Sequence, residues 1–543
     1  MKSLMKYARW LWVHSKGVRM SLFGNVLLGI LNVALTLGFI YICKRIVDIA
    51  TGVLDANIVH YTIAVLIVIV LRLTVSAVNV KIENLASSRM NFIIRRNLYS
   101  SILQSQWQGR EKFHTGDTLN RLETDVSKVT DVIVSDFPQV VTTLVQLVAA
   151  VGFLCFMDWR LALVLVLFTP VMLILSRLFF RKIRGMTRDI RDLESKVQSH
   201  LQESLQHRMV IQSMENEDRM EDRLDSLQEE EYGRVVERTR FNLWARTIVS
   251  ASFSFGYILA FLRGAYGILK GSTSFGTMTA FLQLVGQIQR PVVNLTRQIP
   301  AFIYATASID RLMELEEAPR EESGEAVELA GPSGVRISGL SFRYPDGNEF
   351  IFNDFSCDFP PGSSTAILGE TGIGKSTLIK LILSLLRPVK GSVEVYNADT
   401  AVNSSPLTRC NFVYVPQGNT LFSGTIRENL LMGDPEASSE RLEWALRSAV
   451  ADFVMDLPDG MDSVCGEGGT GLSEGQAQRI AIARGLLRPG KILLLDEFSS
   501  SLDPSTELRL MENIMALSGD KTIIFITHRE AVAAQCSRIV RIA

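Results

Sequence analysis

The chain has only six cysteines among 543 residues, and no two of them form a Cys-x-x-Cys pair. That scarcity excludes a disulfide framework and a thiolate zinc cluster. Cys43 and Cys155 lie in apolar stretches, whereas Cys357, Cys410, Cys465 and Cys536 lie in the second half. Scattered thiols of this kind read as reduced and facing a cytosol. Net charge is nearly absent too, at −1, so the chain lacks the basic footprint of a nucleic-acid binder. Internal repeats and low-complexity segments are missing. What is abundant is hydrophobicity: 47% of residues, with a mean hydropathy of +0.20. A chain of this length holds more than one domain.

The hydrophobic residues cluster in the first 300 positions. Runs extend from Met20 to Cys43, Val59 to Val80, Phe137 to Met157, Leu161 to Phe179, Trp244 to Tyr266 and Phe275 to Pro300. Each approaches the roughly 20 residues that cross a bilayer. None contains Asp or Glu, and none shows the polar face of a helix in a soluble core. Six transmembrane helices are therefore expected, the third and fourth joined by a tight turn at Asp158-Trp159-Arg160. Lys2, Lys6, Arg9, Lys16 and Arg19 hold the N-terminus on the cytoplasmic side. Tyr7, Trp10 and Trp12 suit a helix lying along the interface. The charged segments 81–136 and 180–243 should also be cytoplasmic, extending the helices beyond the membrane.

Glu314 to Gly334 is rich in Glu, Pro and Gly and reads as a linker. Residues 1–313 then form the membrane domain and 335–543 a second domain. Beyond the linker, Ser364–Leu368, Asn411–Val415, Ile492–Leu495 and Thr522–Ile526 read as strands between helices, an α/β pattern.

Gly369-Glu370-Thr371-Gly372-Ile373-Gly374-Lys375-Ser376 fits the P-loop pattern. It follows the apolar Ala366-Ile367-Leu368 and opens a helix at Thr377, the setting the motif requires. Its glycines allow backbone N–H groups to face phosphate, and the helix N-terminus adds positive potential. Lys375 is placed for the β- and γ-phosphates of ATP, and Ser376 for Mg²⁺. Ile492-Leu493-Leu494-Leu495-Asp496-Glu497 is a strand ending in two carboxylates. Asp496 suits Mg²⁺ through water, and Glu497 suits a general base.

Leu472-Ser473-Glu474-Gly475-Gln476 resembles the signature motif of ABC transporter ATPases, with Glu474 where the family usually has glycine. It is followed by Ala477-Gln478-Arg479-Ile480-Ala481-Ile482-Ala483-Arg484, as in the family. The resemblance implies a chain of exporter type: a six-helix all-α transmembrane domain followed by an α/β P-loop ATPase. It implies that Ser473, Gly475 and Gln476 meet the nucleotide. Tyr344 resembles the aromatic that stacks on adenine. Gln417 resembles the glutamine that senses Mg²⁺, Asp503 belongs to a D-loop-like Ser501-Leu502-Asp503, and His528 resembles the switch histidine at the γ-phosphate. Gly466-Glu467-Gly468 resembles the exporter X-loop. Phe113-His114-Thr115-Gly116-Asp117 with Arg121 and Asp125 resembles a first coupling segment; Glu203 and 209–217 resemble a second.

In this family one ATPase supplies the P-loop and another the signature motif, so the resemblance implies a partner half-transporter. With Glu497 and His528 both present, an identical chain is the simplest choice, giving a homodimer. The expected cofactors are ATP and Mg²⁺; the expected partners are the bilayer and an amphipathic lipid, drug or peptide, not nucleic acid. A bacterial inner membrane is expected, with the ATPase domain and both termini cytoplasmic. Gln283, Gln287, Arg290, Asn294 and Arg297 share one helical face, and Arg72 interrupts the second run; an arginine there calls for water, a partner or an anion. An importer, an ATP-gated channel and a regulatory subunit are the rival readings, whereas the apolar runs exclude a soluble ATPase of this family.

Overall fold

The computed structural model describes residues 2–107, 115–344, 347, 349–370, 372–466, 471–498 and 502–542. They form two compact units. One comprises Met1–Ser100 with Asp117–Glu317, and the other Ser101–Gly116 with Ala318–Ala543.

The first unit is helical. Each expected apolar run lies within one helix: Arg19–Ala50, Ile58–Leu103, Phe137–Met157, Trp159–Gln206, Glu217–Leu269 and Phe275–Glu316. Four helices are long and apolar enough to cross a membrane by length and composition, counted among the described residues: Arg19–Ala50, Ile58–Leu103, Gly116–Met157 and Glu217–Leu269. A helical membrane region thus stands. Asp158 alone makes the turn between the third and fourth runs. Its carboxylate accepts the N–H groups of Arg160 and Leu161, capping the helix that begins at Trp159. Ala150, Ala162, Ala260 and Ala280 are fully buried beside Phe281 and Leu284. Small side chains at such positions let membrane helices approach closely.

Helix Gly116–Met157 is not uniformly α-helical. Residues Arg121–Asp125 and Val132–Asp136 each form a π-helical turn. The first turns charged residues inward. Arg121 Nε donates to Asp117 at 2.8 Å and Nη1 to Glu314 at 3.1 Å. Asp125 is buried and accepts from Arg311 Nε at 2.7 Å and Ser308 Oγ at 2.9 Å. Arg121 and Asp125, expected in a coupling segment, tie this helix to Phe275–Glu316. The N-terminal helix Lys2–His14, expected along the interface, is bound to the same helix. Only Trp12 of its two tryptophans is exposed; Trp10 is buried and donates to Glu316 at 2.7 Å, and Tyr7 donates to Asp310. Asp310 and Glu316, both on Phe275–Glu316, thus hold Tyr7 and Trp10.

Asp48 joins two further helix ends. Its carboxylate is buried, accepts Gly276 N–H at 3.1 Å and pairs with Lys44 at 2.8 Å. It thereby caps, from another helix, the N-terminal turn of Phe275–Glu316. A Cβ at Gly276 would collide with Lys44 O and Asp48 Oδ1. Gly276→Ala is expected to destabilise this unit by about 1–3 kcal/mol, the usual cost of overpacking. A lowered unfolding temperature of the purified protein in detergent is the check.

The second unit is α/β. An antiparallel sheet runs in the order β2-β1-β4-β5, made of β1 (Gly334–Phe342), β2 (Phe352–Phe359), β4 (Lys390–Tyr396) and β5 (Ala401–Asn403). A parallel sheet runs in the order β11-β3-β10-β9-β6. Its strands are β3 (Ser364–Leu368), β6 (Phe412–Val415), β9 (Ile492–Asp496), β10 (Thr522–Thr527) and β11 (Arg538–Arg541). β3, β9 and β10 are buried along their whole length, which is why they read as unbroken apolar runs. The short β7 (Gly424–Thr425) and β8 (Val464–Cys465) pair with each other. Leu329, within the stretch expected as a linker, is buried with this unit's core, and its N–H donates to Asn411 at 2.8 Å.

Candidate functional site

Parallel strands all end on the same side of their sheet, and α/β sheets place ligands there. β3 pairs with β10 in the register Leu368↔Thr527, and β10 with β9 in the register Ile526↔Asp496. β6 flanks β9, with Val415 opposite Leu495. Four loops therefore emerge side by side: the P-loop, the Asp496-Glu497 corner, the loop to His528 and the loop to Gln417. This topology assembles residues that lie as much as 159 positions apart (Gly369 to His528).

The P-loop uses glycine where its backbone demands it. Gly372 has φ +91° and Gly374 φ +107°, conformations costly for any side chain. A Cβ at Gly374 would also strike Ile351. Thr371 lies outside the described residues. Gly374 caps the helix Lys375–Ile382 without a side-chain hydrogen bond, leaving its first N–H groups to an anion. Lys375 is buried, and its Nζ donates to Gly369 O at 2.7 Å and Glu370 O at 2.9 Å. Ile373 is half-buried against the unit's core. Thr377 Oγ1 lies 3.2 Å from the hydroxyl of Tyr344.

Asp496 is buried at the end of β9. Burial raises its carboxyl above the ordinary range, against the pull of a hydrogen bond from Ser376. Burial and Asp496 together push the phenol of Tyr414 upward, and that phenol bonds to the same carboxyl. Ser376 and Asp496 thus present a hydroxyl and a buried carboxyl as oxygen ligands. That donor set fits Mg²⁺, which prefers oxygen and one or two carboxylates plus substrate phosphates. No cluster of three or more His, Cys, Asp or Glu suited to a metal occurs among the described residues.

Glu497 sits at φ +45°, a strained setting that turns its side chain off the strand axis. Its N–H is held by Ile526 O at 2.9 Å, and Gln478 Nε2 donates to its carbonyl at 3.1 Å. Gln417 Nε2 donates to its carboxylate at 2.6 Å, and His528 Nδ1 lies 3.7 Å away. The three residues expected to be catalytic therefore meet at one point.

The signature residues are placed otherwise. Ser473 caps the helix Glu474–Leu487, accepting Gln476 N–H at 3.2 Å, while Gln476 Oε1 accepts Ser473 N–H at 2.9 Å. Gly475 is buried in the first turn, and Glu474 points into solvent. No hydrogen bond joins these residues to the P-loop among the described residues. Asp503 caps Pro504–Met515, and donors on Ser505 and Thr506 hold its carboxyl well below the usual range. Glu467, Gly468, Ser501, Phe113 and His114 lie outside the described residues. Tyr414 and Gln478 escaped the sequence reading. The signal for Gln478 is an amide between the alanines Ala477 and Ala481 of an otherwise apolar face, buried at 1% exposure.

Of the polar face expected for cargo, Gln287 accepts from Gln146 at 2.5 Å. Arg72 stacks over Phe39, and its Nε is buried without a hydrogen-bond partner.

Comparison with known proteins agrees with this architecture. The family described as ABC transporter transmembrane region matches residues 22–292, and the family described as ABC transporter matches residues 352–500. A provisionally named multidrug export ATP-binding/permease protein of Bacillus subtilis is 27% identical over 538 residues, covering 97% of this chain and 92% of its own. One of the same name from Staphylococcus aureus is 28% identical over 540 residues, covering 97% and 93%. The solved structure of a bacterial Atm1-family ABC exporter with ATP bound shares the fold. Its TM-score is 0.79 at 22% identity, over 97% of this chain and 94% of that one. With both halves matched in this order, the chain belongs to the ABC transporters: a helical membrane domain fused to an ATPase domain that hydrolyses ATP to drive transport.

Proposed function

We propose that the chain is half of a homodimeric exporter that moves an amphipathic lipid, drug or peptide out of a bacterial cell. The observation that carries this reading is the convergence of Gln417, Glu497 and His528 beside the P-loop, in a chain that also has a membrane domain. The division proposed is a six-span membrane domain over 1–313, a connection over 314–334 and an ATPase domain over 335–543. The ATPase domain and both termini face the cytoplasm of the inner membrane. The curated relatives carry multidrug export in their names, which supports outward movement.

Lys375 and the N–H groups of Gly369, Glu370, Thr371, Gly372, Ile373, Gly374 and Thr377 hold the phosphates of ATP. Tyr344 stacks on the base. Ser376, Asp496 and Gln417 hold Mg²⁺, which neutralises phosphate charge when bound. Glu497 draws a proton from the attacking water, and His528 donates toward the γ-phosphate. Ser473, Gly475, Gln476 and Asp503 complete the site of the partner chain. Two observations support that arrangement: among the described residues no hydrogen bond joins the signature residues to this chain's own P-loop, and both halves of a composite site are present in one chain.

Inside-out vesicles loaded by ATP addition test direction and coupling together. ATP-dependent uptake of a fluorescent amphiphile is expected, abolished by Glu497→Gln. Uptake without ATP would make the chain a channel; ATP-driven efflux from the same vesicles would make it an importer.

A further inference from the structure

The segment Ser101–Gly116 begins in the last turn of the helix Ile58–Leu103 yet belongs to the ATPase unit. Main-chain bonds fix its start. Gln106 N–H donates to Pro319 O at 2.7 Å, and Glu321 N–H donates to Gln104 O at 2.8 Å. Gln106 Nε2 donates to Arg320 O at 3.0 Å. Glu321 in turn accepts two bonds of 2.7 Å from Arg409, whose Nε donates to Leu383 O. Paired charge-assisted bonds of this geometry hold a position well. Residue 107 is thus set by the ATPase fold itself.

That residue is a tryptophan. Trp107 packs half-buried against the same core as Tyr344. The ammonium of Lys380 lies 4.7 Å from its ring centroid. Lys380 follows Thr377 by three positions on the helix that opens at the P-loop, so the two share a face. Thr377 holds the Tyr344 hydroxyl. Both rings therefore rest on one face of the phosphate-binding helix. Trp107 and Tyr344 line one groove of about 440 Å³, together with Gln106, Arg343, Ser384 and Arg387. Aromatic walls with a few polar groups at the rim are the chemistry that holds a flat heterocycle.

We propose that Trp107 is a second aromatic wall of the base site, so that the adenine of ATP is stacked by Trp107 as well as by Tyr344. This rests on the reading of Tyr344 as the base-stacking residue. A tryptophan supplied from outside the P-loop domain's own strands makes base affinity depend on the docking of the 101–107 segment. Stacking grows with ring area, so the two-ring purine gains more from this wall than a pyrimidine does.

The test uses the full chain in detergent, comparing ATP with CTP as substrates. Trp107→Leu keeps apolar bulk and removes the ring; Trp107→Phe keeps a ring. Trp107→Leu is expected to raise KM for ATP about tenfold, with a smaller effect on KM for CTP and on kcat. Trp107→Phe is expected to recover most of the loss. ATP should quench tryptophan emission in the wild type and lose that component in Trp107→Phe. Tyr344→Leu is the companion variant. If it raises KM for ATP while Trp107→Leu does not, the Trp107 proposal fails and the Tyr344 reading stands. If neither changes KM, both fail. A loss of kcat that is equal for ATP and CTP, with KM unchanged, would assign Trp107 to packing and overturn the proposal.

Discussion

A chain carrying Glu497→Gln is expected to bind ATP as the wild type does and to hydrolyse it at least ~100-fold more slowly, the scale of a lost general base. The geometry makes the substitution clean. Glu497 is held by backbone bonds from both sides, N–H to Ile526 and carbonyl to Gln478, and neither involves its side chain. A glutamine oxygen can still accept from Gln417, so the corner keeps its shape. What disappears is the capacity to take a proton from water. Binding is read as the rise in unfolding temperature on adding ATP, and turnover as phosphate release. Wild-type turnover in this variant would remove Glu497 from the role of base and return attention to His528, whose Nδ1 lies 3.7 Å from it.

Two inactive chains are expected to restore each other when mixed. Lys375→Ala disables a P-loop; Ser473→Arg disables a signature motif. Alone, each variant gives dimers in which both composite sites are broken. In a mixed dimer one site joins both lesions, and the other joins an intact P-loop to an intact signature motif. Random assortment then returns roughly a quarter of wild-type hydrolysis, because half the dimers are mixed and each has one sound site of two. The Ser473 change also removes a helix cap, at a cost of about 1 kcal/mol, small enough for the domain to remain folded. No recovery, with co-purification of the two chains shown by separate tags, would mean that each chain completes its own site.

The ATP site was legible because its motifs sit at the ends of parallel strands. There the local sequence sets the loop and the sheet does the assembling. Gly372 and Gly374, for example, carry positive φ that no neighbouring residue could predict better than the glycines themselves. The buried runs β3, β9 and β10 were equally plain. Contacts across long sequence distances were not. Arg121 and Asp125 read as part of a coupling segment, and nothing in the local sequence marks their partners. Those lie 193 and 186 positions on, at Glu314 and Arg311. Trp10 and Trp107 were obscured for a similar reason: an isolated tryptophan carries no sign of which distant surface it meets. The motif residues flanking Trp107 were noticed at 113–125, while the ring that enters the ATPase core lies just before them.

The two π-helical turns also bear on how this helix tolerates change in length. A π turn holds an extra residue and absorbs it within one widened turn. Removing one residue from Arg121–Asp125 would therefore restore a plain α-helix there and leave the face that carries Ala150 and Leu154 in the interior. The same deletion early in the α-helical stretch Phe137–Met157 would instead turn everything beyond it by about 100° and sweep that face toward the outside. Within one helix, a single-residue deletion is thus absorbed at one end and acts as a screw turn at the other.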